Sequence, residues 1–122
     1  MKRKKRTDRA KIVDALDKEV SRIIRARGRC VCCGGSQNMT NGHLFTRTAY
    51  STRWDITEDG NCQPQCVGCN LRHEHDSYPY TAWYIAKFGL EQYHELHRRH
   101  KAVRIIKTFE LEELLTTLKE VR

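Results

Sequence analysis

Two pairs of cysteines are the residues of this 122-residue chain whose spacing most clearly predicts chemistry. Two residues separate Cys30 from Cys33 and Cys66 from Cys69, and residues 34–65 lie between the pairs. Thiolates at this spacing in a tight turn can bind one ion, and two such pairs complete a tetrahedral shell of four sulfur ligands. Four protein ligands leave no position for water, so we expect the ion to be a structural Zn²⁺.

The total of six cysteines also allows a disulfide framework. The basic start is not followed by a secretory signal, and Cys32 lies directly beside Cys33, and both features favour zinc over disulfides. Cys32 and Cys62 fall outside the two pairs. We interpret them as small buried apolar residues, with the alternative that Cys32 replaces a neighbour as a zinc ligand.

A set of polar residues lies between the cysteine pairs and directly after the second one. The segments are N-G-H-L-F at 41–45, R-W-D at 53–55 and N-C-Q-P-Q at 61–65, and Asn70 follows Cys69. Here the chain resembles the His-Me finger (HNH-like) nucleases, which carry a histidine on a first strand, an asparagine before a second strand and a Cys-x-x-Cys turn that opens a helix. The matching catalytic residues are His43, Asn61 and Asn70.

The resemblance implies a metal-dependent DNA endonuclease with a role for each of these residues. His43 would be the general base, since an imidazole with a pKa of about 6.5 can accept a proton from water near neutral pH. Asn70 would hold a Mg²⁺ or Mn²⁺ ion through its side-chain oxygen. Asn61 would either touch the substrate or orient the backbone at His43, and the alternative is an ordinary turn residue.

The second ligand of this catalytic ion is open. Many nucleases of the class carry an aspartate just before the catalytic histidine, where this chain has Gly42. We expect His73, one helical turn beyond Asn70, to be the ligand. Asp55 is the second choice, although it could instead cap a turn or pair with Arg53. Two further alternatives nearby are His75 and Asp76.

Five further segments carry a closer resemblance over about residues 16–96. They are S-R-I-I-R-A-R at 21–27, G-H-L-F at 42–45, T-R-W-D at 52–55, Q-C-V-G-C-N at 65–70 and K-F-G-L-E at 87–91. In these segments the chain resembles the phage recombination endonucleases of the NinG (lambda Rap) family. The resemblance implies cleavage of branched intermediates such as Holliday junctions, in the cytoplasm of a bacterial host. The alternatives are a general HNH nicking or homing endonuclease and a non-catalytic zinc-dependent DNA-binding module.

The net charge of +8 also favours a DNA partner. The positive excess lies in residues 1–29, whereas acidic and basic residues balance over 30–122. Such an arm suits a phosphate backbone, and the alternative is a solvated tail. The basic residues that we predict to contact DNA are Lys2, Arg3, Lys4, Lys5, Arg6, Arg47, Arg53 and Arg72.

Hydrophobic periodicity predicts the elements that must position these residues. It indicates an amphipathic helix over 8–26 that ends near Gly28, and further helices over 80–88, 90–101 and 108–121. The Cys-rich centre lacks a long period, so short strands and loops held by zinc are expected there. Trp54, Trp83, Tyr84 and Phe88 are expected in the core.

We therefore predict an α+β fold with a small ββα-metal core and a four-cysteine zinc site between flanking helices. The parts are a basic arm and helix (1–29), a zinc-stapled nuclease core (30–78) and C-terminal helices (79–122), within one domain. The apolar stripe of the last helix is either core or the seam of a homodimer, which would suit two symmetric incisions in a junction. His94, His97 and His100 are interpreted as a solvated or DNA-facing surface. The chain has no run of about 18 apolar residues, so no membrane span is expected.

Overall fold

The computed structural model describes residues 7–122, so the predicted DNA contacts of Lys2, Arg3, Lys4, Lys5 and Arg6 lie outside the described residues. The described part combines α-helices with one two-stranded sheet, which confirms the mixed character of the predicted fold. The elements in chain order are α1 (Asp8–Arg25), β1 (Met39–His43), α2 (Tyr50–Arg53), β2 (Cys62–Cys66), α3 (Val67–His73), α4 (Tyr78–Phe88), α5 (Leu90–Lys101) and α6 (Thr108–Lys119).

The first helix forms where the period of its apolar residues predicted it. The Thr7 hydroxyl accepts a hydrogen bond from the Ala10 amide at 3.2 Å and so caps the amino end. The helix ends at Arg25, shortly before Gly28, whose φ of 85° lies in the left-handed region. Its apolar face packs with α6 and Trp54 in the first hydrophobic cluster, whose buried residues are Leu16, Val20, Ile23, Ile24, Trp54, Cys62, Ile106, Leu111 and Leu118.

The sheet is antiparallel and short, with five residues in each strand. Its register pairs Met39 with Cys66 at one end and His43 with Cys62 at the other. The end of β1 therefore lies beside the start of β2, while the end of β2 continues directly into α3. The register thus places the candidate base at one end of the sheet and Cys66, a predicted zinc ligand, at the other.

A second hydrophobic cluster forms between the His43 end of the sheet and helices α4 and α5. Its buried residues are Leu44, Tyr80, Tyr84 and Leu96, and Trp83 and Phe88 pack against them half-buried. Leu44 belongs to this cluster and Cys62 to the first, so the two clusters flank the end of the sheet that carries His43. The four aromatic residues expected in the core all lie in or against one of the two clusters.

The predicted helix limits differ from the observed ones by two residues at the amino end of α4 and at the carboxyl end of α6. Helix α4 begins at Tyr78 with proline in its first turn, a position where the missing amide proton has no helical partner in any case. The single turn of α2 was not predicted, because four residues are too few to show a period.

The C-terminal apolar stripe belongs to the core. Leu111 and Leu118 are buried against α1, and Leu114 and Leu115 pack half-buried on the same cluster. The stripe therefore does not offer a dimer interface, and the homodimer stays a prediction. The boundaries of the three predicted parts of the chain, 1–29, 30–78 and 79–122, also stay predictions. Across residues 7–122, no helix has both the length and the apolar character that a bilayer crossing demands.

Candidate functional site

The four paired cysteines form one cluster. The Sγ atoms of Cys30, Cys33, Cys66 and Cys69 all lie within 4.8 Å of one another, and those of Cys33 and Cys66 are 3.8 Å apart. Tetrahedral zinc with bonds of about 2.3 Å places its sulfur ligands about 3.8 Å apart. The cluster therefore has the composition and the dimensions of a zinc site.

Local backbone contacts hold each cysteine pair in position. In the first pair the Cys30 amide donates to the Gly35 carbonyl at 2.7 Å, and the Gly34 amide donates back to the Cys30 carbonyl at 2.9 Å. Gly34 has a φ of 75°, which a residue with a side chain rarely adopts. In the second pair Cys66 is the N-cap of α3, and its sulfur accepts from the Cys69 amide at 3.4 Å. A bound ion would thus join the β2–α3 junction to the loop that follows α1.

The thiol pKa values show the same crowding. Burial raises the pKa of Cys30, but backbone amides of Cys66, Cys33 and Cys32 outweigh it and lower this pKa to about 6. Burial and the three neighbouring thiols raise the pKa of Cys69. One thiol of the set therefore ionises easily while another resists further negative charge, and a divalent cation would relieve that repulsion.

The two remaining cysteines lie outside the cluster. Cys62 is fully buried and donates a hydrogen bond to the Arg53 carbonyl at 3.2 Å, and burial raises its pKa to about 12. Cys32 is half-buried, and its sulfur accepts from the Gln65 side-chain amide at 3.3 Å. All six cysteines are free thiols, so the disulfide alternative finds no support.

His43 is the last residue of β1, and its ring is held by one hydrogen bond. Nε2 lies 2.9 Å from the Arg53 carbonyl oxygen. A carbonyl oxygen can only accept, so Nε2 carries the proton, and Nδ1 is left with a lone pair that can accept one. Burial lowers the pKa of His43, while the Arg53 carbonyl and the Asp17 carboxylate oppose that shift. The ring is therefore neutral and basic at neutral pH.

One open groove brings His43 and Asn70 together. It has a volume of about 470 Å³ and is lined by Asp17, Ser21, Thr40, Asn41, His43, Arg47, Asn70 and Glu74. The Nδ2 atom of Asn70 donates to the Thr40 hydroxyl at 3.0 Å and to the Asn41 carbonyl at 3.5 Å. These bonds use the nitrogen of the amide and leave its oxygen as the end suited to a cation.

Glu74 in this groove is the residue that the sequence analysis missed. It directly follows α3 and lies four residues after Asn70, a spacing that puts two side chains on the same helix face. The signal was present in the sequence, because a carboxylate is a harder ligand for Mg²⁺ than the imidazole that we preferred.

His73, the predicted second ligand, occupies a different place. Its Nε2 lies 2.8 Å from the Leu44 carbonyl oxygen, and its Nδ1 is buried without a partner. The ring packs on Tyr80, with 4.9 Å between ring centroids. His73 therefore lines the second groove described below and not the groove that contains Asn70, so the structure does not bring the predicted second ligand together with Asn70.

Asp55, the second choice, also lies outside this groove. One carboxylate oxygen pairs with Arg99 at 2.5 Å, and the other accepts from the Thr57 hydroxyl at 2.6 Å. It caps a turn, as the alternative interpretation had it, but its ion pair is with Arg99 and not with Arg53. His75 and Asp76 are exposed and line neither this groove nor the larger one described below.

Asn61 is a fully buried clamp on the residues that follow His43. Its Nδ2 donates to the Phe45 carbonyl, and its Oδ1 accepts from the Phe45 amide, both at 2.8 Å. The Asn61 carbonyl accepts from the Leu44 amide at 2.9 Å. This geometry fits the orienting role and leaves the amide no group to offer a substrate.

Gly42 shows why an aspartate is missing before His43. A Cβ built on this glycine would lie 2.0 Å from Oε1 of Gln65, which is itself fully buried. No side chain fits at this position unless Gln65 moves. Any acidic ligand of the groove must therefore come from another element.

A second groove of about 720 Å³ lies on the other side of His43. His43, Arg47 and Glu74 line both grooves. The rest of the second groove is lined by residues 44–49, by His73 and Ser77, and by His97, His100 and Lys101 of α5. The Phe45 ring stacks against His97 and His100, with centroids 4.8 and 5.2 Å apart. Burial, together with the nearby His97 and Lys101, lowers the pKa of His100, so the charged side chains that line this groove are Arg47, Lys101 and Glu74. His94 lies outside the groove, against Tyr93.

The predicted arginine contacts divide into three cases. Arg47 lines both grooves and is exposed. Arg72 is exposed beside the cysteine cluster. The Arg53 guanidinium is paired with Asp17 at 2.6 Å and its side chain is only 15% exposed, so we no longer expect it to contact phosphate.

The fold and the site together define a small α+β protein with four clustered cysteines that could hold a metal ion and a groove that contains a histidine and an asparagine. The chain belongs to the NinG family, since the family described as "Bacteriophage Lambda NinG protein" matches residues 1–121. Membership in this family suggests a role related to phage recombination. No curated protein and no solved structure matches the chain.

Proposed function

We propose that this protein is a Mg²⁺- or Mn²⁺-dependent DNA endonuclease of the His-Me finger class, which hydrolyses phosphodiester bonds in branched recombination intermediates such as Holliday junctions. The observation that carries the proposal is the common groove of His43 and Asn70. The order β1, β2, α3, with the histidine at the end of β1 and the asparagine on α3, supports it further, because it is the order that the His-Me finger resemblance implies.

The reaction needs a base, a counter-charge and a way to hold them at reaction distance. Nδ1 of His43 accepts a proton from the attacking water, while the Arg53 carbonyl keeps the other ring nitrogen protonated. A divalent ion supplies Lewis-acid stabilisation of the phosphate and of the departing oxygen. The hard oxygens of Asn70 and Glu74 fit such an ion and would bind it on one face of α3.

The zinc acts through geometry in this mechanism. Cys66 caps α3 and Cys69 directly precedes Asn70, so the same short helix contains zinc ligands and the ligands of the catalytic ion. Four thiolates leave no open position for water, so zinc itself takes no part in hydrolysis. Its work is to keep Asn70 opposite His43.

The surface charge suits a DNA substrate. Arg47 stands where the two grooves meet at His43, and Lys101 adds a second positive charge along the second groove, where His97 and His100 offer ring N–H groups to a phosphate backbone. A strand whose scissile phosphate lies at His43 can extend into either groove. The preference for branched DNA rests on the family alone.

The test offers three substrates, namely supercoiled plasmid, linear duplex and a synthetic four-way junction, each with Mg²⁺. We expect paired cuts near the crossover of the junction, and a rate at least about 100-fold lower for His43→Ala. His94→Ala is the matched control, because this histidine lies on the same surface but outside both grooves. Cuts in every substrate would instead identify a general nuclease. Binding without cuts would identify a non-catalytic module and refute the proposal.

The ligand pair has its own test. Glu74→Gln keeps the shape of the side chain but removes the charge, so the Mg²⁺ concentration for half-maximal cleavage should rise by about tenfold or more. Glu113→Gln, an exposed glutamate on α6, is the control and should leave it unchanged. An unchanged Mg²⁺ requirement in Glu74→Gln would remove this residue from the ligand set.

A further inference from the structure

Asp17 on α1 joins the first helix to the α2 turn through three hydrogen bonds. Its carboxylate accepts hydrogen bonds from Nε and Nη2 of Arg53 at 3.0 and 2.6 Å and from the indole N–H of Trp54 at 2.8 Å. A two-pronged arginine–carboxylate contact is among the more directional that side chains can form. Both carboxylate oxygens are engaged, although Asp17 also borders the groove of His43.

Arg53 and Trp54 form the carboxyl end of α2, and the Arg53 carbonyl is the hydrogen-bond acceptor of the His43 ring. The Arg53 carbonyl oxygen accepts two hydrogen bonds, one from Nε2 of His43 at 2.9 Å and one from the Cys62 thiol at 3.2 Å. A helix of four residues without a side-chain cap has little stability of its own, so its position depends on neighbours. On the α5 side, Ser51 donates to the Arg99 carbonyl at 2.7 Å. On the α1 side, Asp17 is the contact to the residue that bears the acceptor.

We propose that Asp17 is a positioning residue for the general base: it holds Arg53 so that the Arg53 carbonyl fixes the orientation and the tautomer of the His43 ring. The inference rests on the proposed function for its catalytic consequence. The link from Asp17 through Arg53 to His43 is a statement about the folded protein and can be measured without any substrate.

The charges around the ring support positioning over a direct role in metal binding. Asp17 faces the ring from α1, Arg53 from α2, Arg47 from the loop between β1 and α2, and Glu74 from the end of α3. Burial acts against ionisation of Asp17, but the hydrogen bonds from Arg53 and Trp54 lower its pKa, so the carboxylate is charged and already paired. Glu74 is exposed and offers the freer oxygens for a cation.

The experiment records the ring ¹⁵N signals of His43 in zinc-loaded protein with labelled histidine at roughly pH 8, where the ring is neutral. Wild type should show the Nε2–H tautomer. Asp17→Asn should show a mixture of tautomers and a kcat lower by about tenfold to 100-fold at unchanged KM, as is typical when the partner of a functional histidine is lost. Asp17→Glu, which keeps the charge, should recover part of both losses.

Glu19→Gln is the matched control. This residue lies on the same helix and pairs with Arg22 at 2.8 Å, away from the groove, so its loss should leave the tautomer and the rate unchanged. If Asp17→Asn does not fold, Arg53→Lys replaces it, because lysine keeps the charge and the backbone carbonyl but cannot form the two-pronged contact.

A pure Nε2–H tautomer in whichever of these variants folds would overturn the proposal. A tautomer mixture combined with a wild type that cuts no DNA would leave the positioning link standing and defeat the nuclease proposal instead. The two failures are thereby distinguishable.

Discussion

Replacing Asn61 with alanine distinguishes a residue that holds the site from one that takes part in the reaction. The substitution removes both hydrogen bonds to the Phe45 backbone, each 2.8 Å long, from a side chain that is fully buried. A buried polar group left without its partner costs about 1–3 kcal/mol. Because Phe45 is only half-buried, we take the lower part of that range for each of its two groups and expect a loss of about 2–4 kcal/mol in the free energy of unfolding.

Such a loss is large for a domain whose whole stability is on the order of 5–15 kcal/mol, and it should lower the melting temperature by roughly 10 °C. Urea denaturation of the zinc-loaded protein measures it. Single-turnover cleavage well below the melting temperature measures the activity of the molecules that remain folded. There we expect a rate within about tenfold of wild type, since His43 keeps its Arg53 acceptor.

Asn70→Ala is the paired variant with the opposite expectation. Asn70 is half-buried, and its best hydrogen bond, to Thr40 at 3.0 Å, contributes about 1 kcal/mol. Cleavage should nevertheless fall by about 100-fold, because the proposed ion loses a ligand. If Asn61→Ala were as stable as wild type but inactive, Asn61 would act on the substrate and the clamp interpretation would be refuted.

Three further predictions concern zinc, Gly42 and pH. Cys66→Ser should abolish stoichiometric zinc and cooperative melting, since structural zinc contributes on the order of 10 kcal/mol; a melt unchanged in zinc-free buffer would contradict this. Gly42→Ala should cost about 1–3 kcal/mol in urea denaturation because its Cβ meets Gln65 at 2.0 Å, whereas Gly68→Ala, with nothing within 4 Å, should cost nothing. Burial lowers the pKa of His43, so the base stays deprotonated to lower pH, and the cleavage rate should decrease on acidification with an apparent pKa below 6.5. A decrease on acidification with an apparent pKa above 6.5 would argue against His43 as the base.

The features that sequence predicted well are those set by neighbours along the chain. The cysteine spacing predicted the zinc cluster because two residues are enough to turn one thiolate toward its partner. The apolar period of α1 predicted its length to within a residue or so at its carboxyl end, because burial of one face selects a helix.

The errors at the site come from contacts between distant segments. Arg53 was expected to face DNA, yet it pairs with Asp17 on another helix. His73 was chosen on spacing alone and Glu74 was not considered, because spacing could not reveal that the Leu44 carbonyl and Tyr80 already hold the His73 imidazole. Ion pairs and ring contacts of this kind depend on which elements become neighbours, and that information is not local.

The two-stranded sheet that positions the site is too small to be stabilised by apolar burial alone. The sheet has two strands of five residues, and the buried residues around β2 include Asn61, Gln63 and Gln65, polar side chains whose burial is costly without hydrogen bonds, and Oε1 of Gln65 has no such partner. The two hydrophobic clusters flank the His43 end of this sheet, whereas the Cys66 end has the thiolates. The ends are therefore secured by different means, and a bound ion would add four bonds to the one backbone contact, from the Val67 amide to the Asn38 carbonyl at 2.9 Å, that joins α3 to the loop after α1. Removal of zinc with a chelator that spares Mg²⁺ should consequently release α3 together with Asn70 and Glu74, so cleavage and the cooperative melting transition should be lost at the same chelator concentration.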